Sequence, residues 1–357
     1  MVSSLGFLVI PKTYFELPFL FYIFVNLIYA VFHEYSLVSV MSLVPVYDFV
    51  KPYLVVALTP VHAGLGRGFE EHVDLPVQRD SLGIPCIWGS SIKGALRTAF
   101  RQGRVGQDKR DQDFEKLMFG PEREVAHQHA GALNILDAKL LLSPMPSLKY
   151  GFVFATTKLL LERARALLEL AGKSGGEKLE KLGEKLKELV NLSGSSGKTL
   201  VSNNDLTLDG KVWIGDKVFE VDTKLTNNVK GLLEEFLKDV KIPLSMDTLS
   251  NRIVILQDAD GLKLLSRSTI SVTRIALDYQ RKTVREGALW DEEYVPEMSI
   301  FITAILMSNP RSESSMNAER LFEELVSTLK SRDKKDFFLV LGGHETIGKG
   351  IVKFCGW

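Results

Sequence analysis

Ser90, Ser91, Lys93 and Arg97 have the types and spacing to hold an anion. The apolar run Gly83-Ile84-Pro85-Cys86-Ile87-Trp88 ends in Gly89-Ser90-Ser91, after which Ile92-Lys93-Gly94-Ala95-Leu96-Arg97 has helical spacing. Either serine can cap that helix, whose free amide groups and macrodipole attract a phosphate. Lys93 and Arg97 stand four residues apart and so share one face beside the same anion. The same residues also suit an ordinary capped, solvated helix start. A second stretch, Leu341 to Val352, follows the strand-like run Phe337 to Val340 and holds Gly342, Gly343, Gly348 and Gly350 with Lys349 among them. A loop so rich in glycine lets its backbone approach a ligand closely. Lys349 is followed by glycine rather than Ser or Thr, and no helix-forming run comes after it. The loop therefore matches neither the P-loop nor the dinucleotide fingerprint, and a nucleotide cofactor is not expected.

Composition narrows the classes further. The 357 residues can bury a sizeable core, and 44 basic residues balance 44 acidic ones. Any contact with a polyanion must then come from local placement of Lys and Arg rather than from bulk charge. Cys86 and Cys355 lack metal-ligand spacing and fit a reducing, cytoplasmic compartment. Residues 1 to 40 differ from the rest: the apolar run Leu17 to Phe32 contains Pro18 and Asn26 and is short for a spanning helix. We expect an apolar N-terminal extension outside the native domain, which would begin at Met41, and no membrane anchor.

From Met41 onward the chain reads as α+β. Strands are expected at Tyr53–Leu58, Ala132–Leu142 (ending in Pro144 and Pro146), Phe152–Thr156, Ser299–Met307 and Phe337–Val340. Helices are expected from Ile92 to about Arg101, over Leu159–Leu170 and over Asn227–Lys238. Residues 172–198 are rich in Lys, Glu, Leu, Gly and Ser, with a helical middle from Glu177 to Leu189, and suggest a surface insertion. Lys211–Ile214 and Lys217–Val221 suggest a hairpin. Residues 270–296 suggest another, an arm turning at Tyr279-Gln280-Arg281-Lys282, with charged residues along one face and too little apolar matter for a core of its own. Asp74 lies between Gly64, Gly66 and Gly68 upstream and Pro76 downstream, in an exposed loop. Asp80, Asp258 and Asp260 read as solvated turn carboxylates. His127 and His129, one residue apart, are too close in sequence to read as a metal site.

The Gly89-Ser90-Ser91-Ile92-Lys93-Gly94-Ala95-Leu96-Arg97 helix start, paired with the glycine loop 341–350, resembles the RAMP superfamily of CRISPR proteins. Within it, Leu58-Thr59-Pro60-Val61-His62-Ala63-Gly64 together with Val73-Asp74-Leu75-Pro76-Val77-Gln78-Arg79-Asp80 is similar to the repeated backbone subunit of type III-B Cmr effector complexes. Gly287-Ala288-Leu289-Trp290-Asp291-Glu292-Glu293-Tyr294-Val295-Pro296 adds a third matching island, and the resemblance runs from about Met41 to the C-terminus.

That resemblance implies an RRM-like, ferredoxin-like palm with a protruding β-hairpin thumb at 270–296 and a helical insertion. It implies an endoribonuclease subunit that stacks in several copies along a guide CRISPR RNA, beside other subunits of the complex, and cuts complementary target RNA at regular intervals. Asp74 would be required for the cut; His62, Glu292 and Tyr294 would stand near the scissile phosphate, with His72 competing for the histidine's role. Ser90, Ser91, Lys93, Arg97, Gly342, Gly343, Gly348, Lys349 and Gly350 would hold the guide, and the thumb would part the duplex. The implied products are a 2′,3′-cyclic phosphate and a 5′-hydroxyl. A carboxylate, with an ordinary pKa of about 4, is a poor general base at neutral pH, so an aspartate is better suited to holding a divalent metal ion, Mg2+ or Mn2+, or to orienting a 2′-hydroxyl. Two alternatives stay open: a structural RNA-binding backbone subunit without nuclease activity, which Asp74 in its motif disfavours, and a guide-processing ribonuclease, which the arm disfavours.

Overall fold

The strand β1 (Phe49–Ala57) runs through the middle of a large sheet and is buried on both sides. The protein is described by a computed structural model that covers residues 47–66, 73–103, 109–121, 130–310, 316–329 and 335–357. His72, His127, His129, Gly68 and the N-terminal extension fall outside the described residues. Around β1 the sheet order is β13 (Phe337–Val340), β14 (Ile351–Gly356), β1, β12 (Ile300–Met307), β4 (Ala138–Ser147), β5 (Gly151–Thr157), β9 (Ile253–Leu256) and β6 (Leu200–Val201). Short strands β2 (Cys86–Ile87) and β3 (Leu133–Ile135) pair with β4 and β12, and the hairpin β7 (Lys211–Ile214) and β8 (Lys217–Glu220) hangs from β4. Tyr53 and Val55 join the core under α1 (Gly89–Gly103) and α8 (Ala318–Thr328), whereas Leu54 and Val56, equally buried, point to the other face, which α3 (Lys158–Gly175) crosses.

Helix α1 buries Ile92, Leu96 and Phe100, spaced four apart on one stripe. Each fully buried side chain of this size contributes about 2 kcal/mol, and Leu96→Ala would cost about 3 kcal/mol by leaving a cavity. The helix begins at Gly89, three residues earlier than the sequence pattern suggests. A Cβ on Gly89 would fall 2.3 Å from the carbonyl oxygen of Ile135, so the tight approach requires glycine.

The expected strand end before Pro144 is not observed: β4 continues to Ser147, pairing Pro144 with Phe154 and Pro146 with Phe152 of β5. Its pairing with β12 stops at Leu142, so the prolines sit where that flank asks for no amide donor. The segment read as a surface insertion is α4 (Glu177–Ser196), after α3 and packed against α3 and α5 (Thr226–Leu237). It is a surface element on its charged side only, because Leu179, Leu182, Leu186 and Leu189 recur at helical spacing and are buried. The chain also forms α2 (Lys109–Phe119), α6 (Met246–Ser250) and α7 (Asp258–Leu265). Asp258 opens α7, its carboxylate accepting from the amide of Leu159 at 2.9 Å, and Asp80 is an inner carboxylate rather than a solvated one. Asp80 accepts from the amides of Leu82 (2.8 Å) and Ile84 (3.0 Å) and pairs with Arg163 at 2.6 Å.

The arm is a separate two-stranded sheet, β10 (Ile270–Leu277) and β11 (Val284–Tyr294), in antiparallel register from Ile270 opposite Tyr294 to Ile275 opposite Leu289. Its outer half exposes Ile275, Leu277, Tyr279, Val284 and Leu289. Its root, from Glu292 to Tyr294, is buried. Among the described residues no helix is long and apolar enough to cross a membrane.

Candidate active site at the root of the hairpin

Three chain segments converge on the last residues of β11. Val61 bridges Val295 and Leu75 bridges Glu292, while Gly343 N–H donates to the His62 carbonyl at 3.0 Å. Glycine makes that closure possible. A Cβ on Gly342 would stand 2.0 Å from the His62 oxygen, and one on Gly64 would stand 2.6 Å from the His62 ring; the φ of Gly342 is +80° besides. Gly350 closes the other end of the loop, donating to Pro60 O and accepting from Leu341 N–H, at 2.9 and 2.8 Å. Gly342, Gly343 and Gly350 thus bring the loop down onto residues 60–62, and Gly348 supplies a turn at φ +74°.

Alternation along β11 puts Trp290, Glu292 and Tyr294 on one face. Trp290 Nε1–H donates to Glu292 at 2.8 Å, the Tyr294 hydroxyl donates to the same carboxylate, and Arg274 of β10 lies 3.4 Å from it. Burial pushes the Glu292 carboxyl up, but the hydrogen bonds from Tyr294 and Trp290, with the charges of His344 and Arg274, outweigh it and leave the group below the usual carboxylate range. Burial, and then Glu292, push the Tyr294 phenol up to about 12, so it remains a donor at any working pH.

His344, which the sequence pattern did not single out, completes this cluster. Its Nδ1 lies 2.9 Å from the Tyr294 hydroxyl and 3.2 Å from Glu292 Oε2. Its backbone is left-handed, φ +68°, which costs a residue with a Cβ about 1 kcal/mol. The His62 ring packs 5.5 Å from Tyr294 and 5.1 Å from His344, its Nδ1 2.7 Å from the Glu293 carbonyl. Lys349 sits over the Tyr294 ring, 5.5 Å from its centre. His62, Glu292 and Tyr294 are all buried, whereas the His344 side chain keeps 25% of its surface exposed.

The opposite face of β11 is spent on structure. Glu293 pairs with Arg79 and accepts from Val77 N–H at 3.0 Å and from the Thr269 hydroxyl at 2.5 Å. Asp74 stands at the same root. It is exposed, and its Oδ2 accepts from the Asp291 amide at 2.9 Å, while Leu75 exchanges backbone hydrogen bonds with Asp291 and Glu293. The expected metal site is not supported by a protein ligand set: among the described residues no group of three or more His, Cys, Asp or Glu side chains is arranged to hold an ion. Asp74 offers one carboxylate, half engaged.

At the start of α1, Lys93 and Arg97 do share a face. Lys93 Nζ donates to Leu133 O at 2.9 Å, and burial, with Arg97 beside it, pulls its ammonium below the usual range. Arg97 pairs with Glu115 at 2.6 Å and donates to Gly120 O at 3.2 Å. Ser90 is exposed, and Ser91 Oγ accepts from Gln78 Nε2 at 2.9 Å. Gln78 also donates to Gly64 O and accepts from Trp88 N–H, tying this helix start to the segments that carry His62 and Asp74.

The sequence signature of the RAMP superfamily matches residues 55–353. The CRISPR system Cmr endoribonuclease Cmr4 of Pyrococcus furiosus is 33% identical over 309 residues, spanning 85% of this chain and 95% of its own. The CRISPR system CMR subunit Cmr4 of Saccharolobus solfataricus is 30% identical over 330 residues, spanning 88% of this chain and 98% of its own. Among solved structures, a chain of the type III-B Cmr-beta complex bound to cognate target RNA superposes with a TM-score of 0.67 at 27% identity, covering 87% of this chain and 98% of that one.

Proposed function

The chain belongs to the RAMP superfamily, and from that premise we propose that it is the repeated backbone subunit of a type III-B Cmr effector complex, binding guide RNA in several copies and cutting complementary target RNA at regular intervals. The observation that carries the nuclease reading is the exposed carboxylate of Asp74, hung by the Asp291 amide at the root of the hairpin. Two relatives named Cmr4, one of them an endoribonuclease, match over nearly the whole of their own lengths, and a similar chain sits in a complex with target RNA.

The palm is RRM-like: β1, α1, β4, β12, α8 and β14 follow the order strand–helix–strand–strand–helix–strand, and their antiparallel sheet order, β14-β1-β12-β4, is that of a ferredoxin-like fold. The hairpin β10–β11 is the thumb, its exposed apolar residues suited to stacking where the guide–target duplex is parted. Lys93 contributes to guide binding: an ammonium carries three donors, one of which is directed at Leu133 O. Ser90, Lys349 and the glycine loop border the same strand of RNA. In the cut, a 2′-hydroxyl loses its proton to solvent water as its oxygen attacks phosphorus, the bond to the 5′-oxygen breaks and that oxygen takes up a proton, giving a 2′,3′-cyclic phosphate and a 5′-hydroxyl. Asp74 orients the 2′-hydroxyl by accepting its hydrogen bond. Mg2+ or Mn2+ would have to share Asp74 with the phosphates of the RNA, and EDTA abolishes cutting if such an ion is needed.

Reconstitution with guide, end-labelled matched target and the other subunits tests this reading. Evenly spaced products from matched target alone are expected. Guide binding without cutting would replace the nuclease by a structural subunit, and absence of guide binding would overturn both.

A further inference from the structure

On the reading that this subunit cuts RNA, we propose that His344 is the group that protonates the departing 5′-oxygen, and that Glu292 and Tyr294 are positioning residues that hold its ring. A buried carboxylate and phenol grip Nδ1, at 3.2 and 2.9 Å, and this fixes the ring's orientation and leaves Nε2 as the edge able to meet a substrate. His62, Glu292 and Tyr294 are shut away from solvent, whereas the His344 imidazole and the Arg274 guanidinium are partly exposed, and of these two side-chain types a guanidinium does not release its proton in a protein while an imidazole can. The residue keeps a Cβ at a left-handed backbone position in a loop where glycine stands at several neighbouring positions.

Titratable and charged groups lie around the His344 ring. Glu292 and Tyr294 contact it from β11 and the His62 ring lies 5.1 Å away on the segment after β1, while Arg274 of β10 reaches Glu292, Lys349 sits over Tyr294, and Glu345 follows it in the chain. In the step, the 2′-hydroxyl gives up its proton to solvent water as its oxygen bonds to phosphorus, the pair of the P–O5′ bond goes to the 5′-oxygen, and the Nε2 proton of His344 moves to that oxygen. The imidazole left behind is neutral and takes its next proton from water.

The test uses the reconstituted complex in single turnover with two targets that differ only at the cut: ordinary RNA, and RNA with sulfur in place of the 5′-oxygen. A thiolate leaves without protonation. His344→Asn keeps a side chain that tolerates the left-handed backbone, and His344→Gly removes the strain as well. Each should cut ordinary RNA about 100-fold more slowly and the sulfur substrate within about threefold of the parental rate. Equal losses on both targets, or no loss on either, would overturn the assignment of His344. If the variants fail to assemble, the parental complex decides: its rate on ordinary RNA should fall at high pH and its rate on the sulfur substrate should not, and parallel profiles would overturn it. A parental complex that cuts neither target refutes the nuclease reading itself and is distinguishable from these outcomes.

Discussion

The start of α1 and the root of the hairpin both gather cations and polar side chains, and both attract attention in the sequence, but their polar atoms are used differently. At α1, Arg97 is held by Glu115 and Gly120, and Lys93 is directed at a carbonyl of the chain itself. At the hairpin root, buried acids turn one edge of His344 inward, and Asp74 is held by a single main-chain amide with its carboxylate in solvent. A charge satisfied by its own chain chiefly stabilises the fold. A charge fixed on one side and open on the other is prepared for a ligand.

The largest effect that would break or sharpen this contrast is expected at Asp74. Asp74→Asn keeps size and shape and removes the charge; cleavage should fall at least about a hundredfold, roughly 2.7 kcal/mol of transition-state stabilisation, with guide and target binding within about threefold. A variant that cuts at the parental rate would make Asp74 a loop residue and remove the contrast. Next come the two neighbouring carboxylates of β11. Glu293→Ala should lower folding stability by about 3 kcal/mol, since Arg79, Val77 and Thr269 lose a shared partner. Glu292→Gln should instead slow cutting by about tenfold, less than Asp74→Asn does, with a smaller loss of stability.

Acid tests Glu292 further. A carboxyl held below its ordinary value of 4.5 contributes stability that is complete above that pH and is lost as pH falls below it through the folded-state value. The stability difference between the parental chain and Glu292→Gln, measured by thermal unfolding, should therefore shrink as pH is lowered from 5 to 3. A difference independent of pH would mean that Glu292 contributes through packing alone. The smallest effects belong to α1. Arg97→Ala should cost about 1 to 2 kcal/mol of stability and leave the salt dependence of RNA binding unchanged. Lys93→Ala should lower the log–log salt slope by about 0.7, the contribution of one phosphate contact. If both slopes are unchanged, α1 is framework throughout.

Where the pattern is local, the sequence announces the element. The stripe of Ile92, Leu96 and Phe100 and the alternation from Val272 to Asp278 are each contained in one segment, and α1 and the hairpin form where the pattern indicates. Helix α8 carries comparable local signals, an Asn317 cap and buried Leu321, Phe322, Leu325 and Val326 at helical spacing. His344 is different in kind. It lies fifty residues beyond Tyr294, and only the approach of the glycine loop to His62 brings the two together. The helical register of Lys93 and Arg97 could be read from spacing, but their partners Leu133, Glu115 and Gly120 could not, because those contacts depend on how distant segments pack.

Asp74 is attached to the hairpin by hydrogen bonds that do not depend on side-chain identity along the strand: its neighbour Leu75 exchanges amide and carbonyl with Asp291 and Glu293. Any tilt of β11 therefore carries the carboxylate with it, as a pawl moves with its lever. A subunit built this way cannot move its hairpin without moving that carboxylate, so on the proposed nuclease reading the interval between cuts would be set by where each hairpin lodges in the duplex and not by a separate reading of the target's bases.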